Sequence, residues 1–235
     1  LWVKGKEYSE RVGGNPRTYR LLSALLILIL PISPLLTNYP FNDRSRHFLA
    51  YDYGMNVLAT LDRDAILFIY GDNIAFSLTY LKLVENERSD VTIYDQSGNL
   101  FEDIYQTHIV SPSVLTREEW LDKKDRIERK IIATTSRPVY YSPRRDMSPM
   151  PDYELRHTGL IYRVAKKGAP PRKEQDYYSL YNMRGVNDGT IFKDRMSREI
   201  VAEYHYHLAK HYFKEEDLKR AVAEVKKASE VGWDI

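Results

Sequence analysis

Six apolar residues follow one another from Ala65 to Tyr70 (AILFIY), and Gly71-Asp72-Asn73 then stops the run with three turn formers. An unbroken, β-prone run of this length is the pattern of a strand buried on both faces. From Phe76 the apolar positions Phe76, Leu78, Tyr80, Leu81, Leu83 and Val84 fall mostly at helical spacing, and Val91, Ile93 and Tyr94 resume a strand. The stretch has the size of one βαβ crossover, about 30 residues. Such crossovers join parallel strands and are right-handed almost without exception. Gly71-Asp72-Asn73 is therefore expected at the carboxyl end of a parallel strand, where open α/β sheets usually bind their ligands.

The flanking pattern extends this picture. From Leu21 to Asn42 there is no charged residue, and the core of the segment reads LLSALLILIL. That predicts a transmembrane helix of about 20 residues. A buried core helix or an uncleaved signal-like segment are the alternatives, although no small-residue cleavage site follows. Pro31 and Pro34 each remove a backbone bond, which membrane helices tolerate. Lys4, Lys6, Arg11, Arg17 and Arg20 precede the segment, so its start is expected in the cytoplasm and everything after Asp43 outside it. Arg46–Leu61 reads as a helix with Phe48, Leu49, Tyr53, Val57, Leu58 and Leu61 on one side. Thr116–Thr134 opens with a Thr116/Glu119 capping box and continues as a charge-laced face. Pro138–Tyr141 predicts a third strand, and Tyr153–Val164 one or two more, broken at Gly159.

Lys166–Arg172 (KKGAPPR) is the best domain boundary, and a Tyr-rich connector follows it. Ser197–Val231 predicts a helical hairpin, with Leu208, Ala209, Tyr212, Ala221, Val225 and Ala228 at the offsets of a tetratricopeptide repeat, and Trp233 where that repeat often has Pro. One repeat cannot bury its own face. The chain opens on Leu1 and stops inside this pattern, so it is expected to be a piece of a longer protein. The predicted fold class is α/β. A basic cytoplasmic loop (1–20) and a transmembrane helix (21–41) lead into a small three-layer domain with a mostly parallel sheet (42–165). A linker (166–195) and a tetratricopeptide-like hairpin (196–235) follow.

Composition narrows the function classes. Lys and Arg number 35 against 33 Asp and Glu, a net charge of +2, so nothing favours a polyanionic partner and nucleic acid is not expected. The 19 Tyr are scattered along strands and helices, which reads as half-buried packing. With no Cys there is no disulfide, thiolate metal site or Cys nucleophile.

Gly71-Asp72-Asn73 is the best site candidate. A turn that leads into a helix N-terminus gathers unpaired N–H groups able to hold an anion or a sugar hydroxyl, and Asp72 adds an acceptor. The plainer reading is that Asp72 or Asn73 caps the helix while Gly71 takes a positive φ. No phosphate-loop motif is present. Glu85 and Arg88 form an i,i+3 pair, ordinarily a solvated one. Asp43 and Asp52 lie just past the apolar segment, placed either to face a lipid-linked substrate or as interfacial polar groups. His207 and His211 are i,i+4 on a helix near His205, without the Glu of His-Glu-x-x-His, and no metal site is assigned. No Ser nucleophile motif occurs, His108 and His157 have no partner legible in sequence, and no catalytic residue or cofactor is assigned.

Asn42-Asp43-Arg44-Ser45, Asp52-Tyr53, Asn56, Gly71-Asp72-Asn73, Phe76, Leu78, Tyr80-Leu81, Val84-Glu85, Arg88 and Asp90-Val91 together resemble a bacterial membrane-protein family. Its animal relatives are protein O-mannosyltransferases of the endoplasmic reticulum with a GT-C type membrane fold. In the family the turn usually reads Gly-Asp-Asn-Asp-Thr-Phe-Pro-Leu-Trp-Tyr-Leu-Gln, and Ile74, Ala75, Ser77, Thr79 and Lys82 depart from it here. The resemblance spans roughly residues 20–165. It implies the extracytoplasmic C-terminal region of a membrane glycosyltransferase, in a bacterial inner membrane, with the acidic catalytic residue outside this chain. It further implies a polyprenyl-phosphate sugar donor and a protein or glycan acceptor. The other reading is a membrane-anchored, non-catalytic module that recruits a protein partner through its helical repeat. A soluble nucleotide-binding enzyme would need the apolar segment to be core, and no phosphate motif supports it.

Overall fold

The computed structural model describes residues 16–106, 116–172 and 175–231. The basic residues before Pro16, His108 and Trp233 lie outside that set. The chain forms two compact units, Leu1–Arg46 and His47–Ile235.

In the first unit, helix α1 (Pro16–Asn42) runs unbroken through Pro31 and Pro34. It begins before Leu21, so Arg17 and Arg20, expected in a loop, are helical. Proline at its first position has its φ preset and needs no N–H partner there. The stretch Arg17–Tyr39 is 23 residues long with none of its apolar window buried. At 1.5 Å per residue it reaches about 35 Å, the thickness of a bilayer core with some tilt. Among the described residues it is the one helix long and apolar enough to cross a membrane.

The second unit runs α2 (Leu49–Thr60), β1 (Ile66–Ile69), α3 (Asp72–Leu83), β2 (Thr92–Asp95), α4 (Arg117–Thr134), β3 (Val139–Ser142), β4 (Tyr153–Thr158), β5 (Ile161–Lys166), α5 (Arg195–Lys214) and α6 (Leu218–Glu230). The five strands form one sheet in the order β2-β1-β3-β5-β4. β1 pairs in parallel with both β2 and β3, whereas β5 is antiparallel to β3 and to β4. The α/β class and the parallel β1-α3-β2 crossover stand as expected, and the sheet as a whole is mixed. The β4–β5 hairpin turns at Gly159 with φ +55, as a two-residue primed turn needs. A Cβ there would lie 2.0 Å from the Tyr181 hydroxyl, so glycine is required for space as well as for φ.

All four residues of β1 are buried, because helices cover both faces of the sheet. Leu67, Ile69 and Tyr140 pack with α2, α3 and α5, while Ile66, Phe68, Val139 and Tyr141 pack with Ile132 of α4. The Phe68 and Tyr141 rings stack at 5.0 Å. The capping box on α4 forms as expected, with Glu119 N donating to Thr116 Oγ1. The charged face of α4 is not wholly solvated, however: its buried stripe is Lys124, Glu128 and Ile132.

The helical hairpin does not form a compact unit of its own. Ile200, Val201 and Tyr204 of α5 enter the same core as α2, and Tyr204 meets Tyr53 edge-on at 5.8 Å. The connector expected as a linker is likewise packed: Val186 is buried, and Tyr178, Tyr181 and Met183 lie against the core. Polar sequence at 166–172 thus marks an exposed turn and not a division between compact units.

Candidate functional site

β1 ends at Ile69, and Tyr70 N donates to Ser142 O at 2.9 Å, continuing the pairing with β3 by one residue. Gly71 follows with φ +106 and is itself the N-cap of α3, with no side-chain hydrogen bond to the first turn. No Cβ clash accounts for the glycine, so its backbone conformation does. Asp72 is the first helical residue, which corrects the expectation that it or Asn73 caps the helix. A residue already inside the helix points away from the N–H groups that a cap must reach. Asp72 is exposed and makes no hydrogen bond or ion pair among the described residues. Its favourable interaction is with the partial positive charge of the helix N-terminus.

Asn73 turns the other way. Its Nδ2 donates to Glu199 Oε2 of α5 at 2.9 Å, while its Oδ1 is buried and accepts nothing from the described residues. It lines a cleft of about 420 Å³ together with Arg195, Arg198, Glu199 and Glu203 of α5 and Val231. Two guanidinium groups face two carboxylates there, with an amide between them. Such a lining donates and accepts in equal measure, which suits a polyhydroxyl group better than an anion. The turn expected from sequence to form a site therefore borders a cleft, and α5 supplies its other wall.

Asp43 and Asp52, the other expected site residues, do not join it. Asp43 belongs to the first unit, is exposed, and accepts from Ser45 N at 2.9 Å in a local turn. Hydrogen bonds from the Ser45 hydroxyl and backbone hold its carboxyl below the ordinary range. Asp52 is 2% exposed and accepts from Arg184 N at 3.1 Å, Nε at 3.0 Å and Nη2 at 2.6 Å. A carboxylate buried in this way is engaged in tying the connector to α2 and cannot face a substrate at a surface. Asn56, one turn later, does the same: its Nδ2 donates to Asn182 O and Tyr204 Oη, and its Oδ1 accepts from Asn182 N.

Most of the motif positions in this stretch are likewise structural. Arg88 does not pair with Glu85 but with Asp90, and its guanidinium donates to Leu58 O, Leu61 O and Asp62 O, closing the carboxyl end of α2. The hydrogen bond from Arg88 holds the Asp90 carboxyl far below the ordinary range. Glu85 accepts instead from Tyr51 Oη at 3.0 Å.

Two clusters were not legible in sequence. At the carboxyl ends of β2 and β3, fully buried Glu128 accepts from Tyr105 Oη and Tyr141 Oη at 2.7 Å each and from Gln96 Nε2 at 3.0 Å. The Arg145 guanidinium bridges Glu128 and Asp125. Burial pushes the Tyr105 and Tyr141 hydroxyls well above their ordinary range, so they stay protonated donors. The second cluster joins β4 to α5. His157 Nε2 lies 2.8 Å from His207 Nδ1 with the rings stacked, and His207 Nε2 lies 3.3 Å from Glu203. Burial, then the neighbouring His207, pushes His157 down to about 2, so its ring is neutral. His207 is 3% exposed, because the β4–β5 hairpin covers that face of α5. His205 is buried too, 2.6 Å from Glu224 of α6. Among the described residues no three potential ligands converge on a metal position.

Residues 50–105, the stretch holding α2, β1, α3 and β2, match the family model described as TMEM260-associated domain 2. Over 92 residues the chain is 34% identical to the protein O-mannosyl-transferase tmem260 of Dictyostelium discoideum, covering 36% of this chain and 11% of that protein. The chain thus corresponds to a small part of the relative's length. No solved structure matches the chain. These similarities relate the α/β unit to O-mannosyltransferase-like proteins.

Proposed function

We propose that this chain is the extracytoplasmic C-terminal region of a membrane glycosyltransferase-like protein, anchored by α1, with the catalytic residues outside it. The observation that carries the reading is the matched stretch 50–105, whose relative is named a protein O-mannosyl-transferase. The exposed apolar length of α1 supports a membrane anchor. In this reading the donor is a lipid-linked sugar and the acceptor a protein or glycan. The cleft lined by Asn73, with its balanced donors and acceptors, helps to seat the acceptor, and Gly71 and Asp72 precede it in the same turn. The test is transfer of a labelled sugar from a polyprenyl-phosphate donor by the intact membrane protein in detergent, wild type beside Asp72→Ala. Transfer supports the reading, and loss of transfer in Asp72→Ala at normal protein level assigns the turn to it. No transfer across several donors, from folded protein, overturns it.

One observation favours a second reading, a non-catalytic membrane-anchored interaction module. The α5–α6 hairpin leaves Phe213, Leu218, Val222 and Val225 exposed around an apolar groove of about 450 Å³. A tetratricopeptide-like unit uses such a face against a neighbouring repeat or a protein partner.

A further inference from the structure

A second cavity, of about 190 Å³, lies between the β4–β5 hairpin, the connector and the end of α5, away from the Asn73 cleft. Its described lining holds Arg156, Arg163, Arg172 and Lys214 and not one carboxylate. Tyr177 and Tyr178 supply an aromatic wall, and Tyr178 packs against His211 at 5.0 Å. The cations differ in how far they are already used. Arg156 is committed to the fold, donating to Glu154, Ala169 O and Pro170 O. Lys214 Nζ donates to His157 O at 3.0 Å. Arg163 and Arg172 share a single carboxylate, Asp62, behind the cavity. Arg172 holds both Asp62 oxygens, at 2.8 and 2.6 Å, and Tyr140 Oη takes one of them as well. Among the described residues, Arg163 is left with one long ion-pair contact of 3.4 Å.

Two guanidiniums on one carboxylate leave a positive charge uncompensated, and a guanidinium has five donors in a planar fork. Arg163 therefore presents most of its fork to a cavity in whose described lining there is no carboxylate to meet it. Forked donors of this kind match the oxygens of phosphate in geometry as well as charge. The aromatic wall beside them suits a ring attached to that phosphate. We infer that this cavity binds a small phosphate monoester, its phosphate held by Arg163 and Arg172 and its ring body against Tyr177 and Tyr178. This site is independent of the glycosyl-transfer reading and of the Asn73 cleft.

The experiment titrates the detergent-solubilised chain with inorganic phosphate, glucose 1-phosphate and acetate at one ionic strength, balanced with chloride, and reads binding by calorimetry. The expected order is glucose 1-phosphate, then inorganic phosphate, with acetate at least tenfold weaker than phosphate. Arg163→Gln should weaken phosphate binding tenfold or more. Arg172→Gln, at a more exposed position, should weaken it severalfold and serves where Arg163→Gln fails to fold. Lys226→Gln, on an exposed face of α6, should change nothing. Phosphate binding equal in wild type and both arginine variants would overturn the assignment, as would acetate matching phosphate. Glucose 1-phosphate no tighter than inorganic phosphate would remove the ring body from the proposal and keep only the anion site, and no binding of either would remove the site altogether.

Discussion

Asp72 and Glu128 are both carboxylates set near strand ends of the same sheet, and the fold uses them in opposite ways. Asp72 follows β1, is exposed, and has no partner among the described residues. Glu128 sits over the ends of β2 and β3, fully buried, with two phenol hydroxyls, an amide and a guanidinium upon it. A buried carboxylate is tolerable only when its hydrogen-bonding capacity is filled, and Glu128 meets that condition. It is a lock that holds α4 to the sheet. Asp72 contributes almost nothing to the fold, which leaves it available to a ligand.

The sharpest way to break the contrast is Glu128→Ala. It strands Arg145 and two buried tyrosines without their acceptor, and should cost about 3–5 kcal/mol of unfolding free energy in denaturant titrations. A loss below about 1 kcal/mol would show that the cluster is not a lock. Asp52→Asn tests a buried carboxylate whose partner is half-exposed. Losing charge-assisted bonds to Arg184 should cost about 1.5–3 kcal/mol, read the same way. Asp90 sharpens the comparison through pH. Its folded-state carboxyl lies below the unfolded value of about 3.9, so its stabilisation is present above that pH and is lost as pH falls below it. Asp90→Asn should therefore lower stability at neutral pH and flatten the acid limb of the stability profile between about pH 5 and pH 2. An unchanged acid limb would refute the Arg88–Asp90 account. Asp72→Ala should have the smallest effect, under about 1 kcal/mol, because only the interaction with the helix N-terminus is lost.

The same contrast marks what was legible in the chain. The apolar run Ala65–Tyr70 and the turn after it identified a buried parallel strand and its carboxyl end, since few other structures bury consecutive apolar residues as Ala65–Ile69 are buried here. The Thr116/Glu119 box was legible because both partners lie within one turn. Glu128 was not, since α4 buries Lys124 and Glu128 where apolar periodicity would look for leucine. Its partners Gln96, Tyr105, Tyr141 and Arg145 come from other segments of the chain. The site residues divide along the same line. Gly71 and Asn73 stand at the expected strand end, but Asp52 was misread as surface because its partner, Arg184, is 132 residues away. His157 and His207 meet across 50 residues, and neither carries a local signal of the other.

Legible from the chain were the elements whose causes are local: an uncharged segment of bilayer length, a buried β1, the glycine-dependent turn at Gly71, and the final helical hairpin. They were legible because backbone conformation and hydrophobic periodicity act within a few residues. Folding was needed to show that the hairpin shares a core with the α/β sheet, that α5 forms the second wall of the Asn73 cleft, and that Arg163 and Arg172 line one cavity with Tyr177 and Tyr178. Those outcomes turn on which distant surfaces meet. A charged side chain reads the same in sequence whether its partner is water, a carboxylate folded against it, or an open cavity.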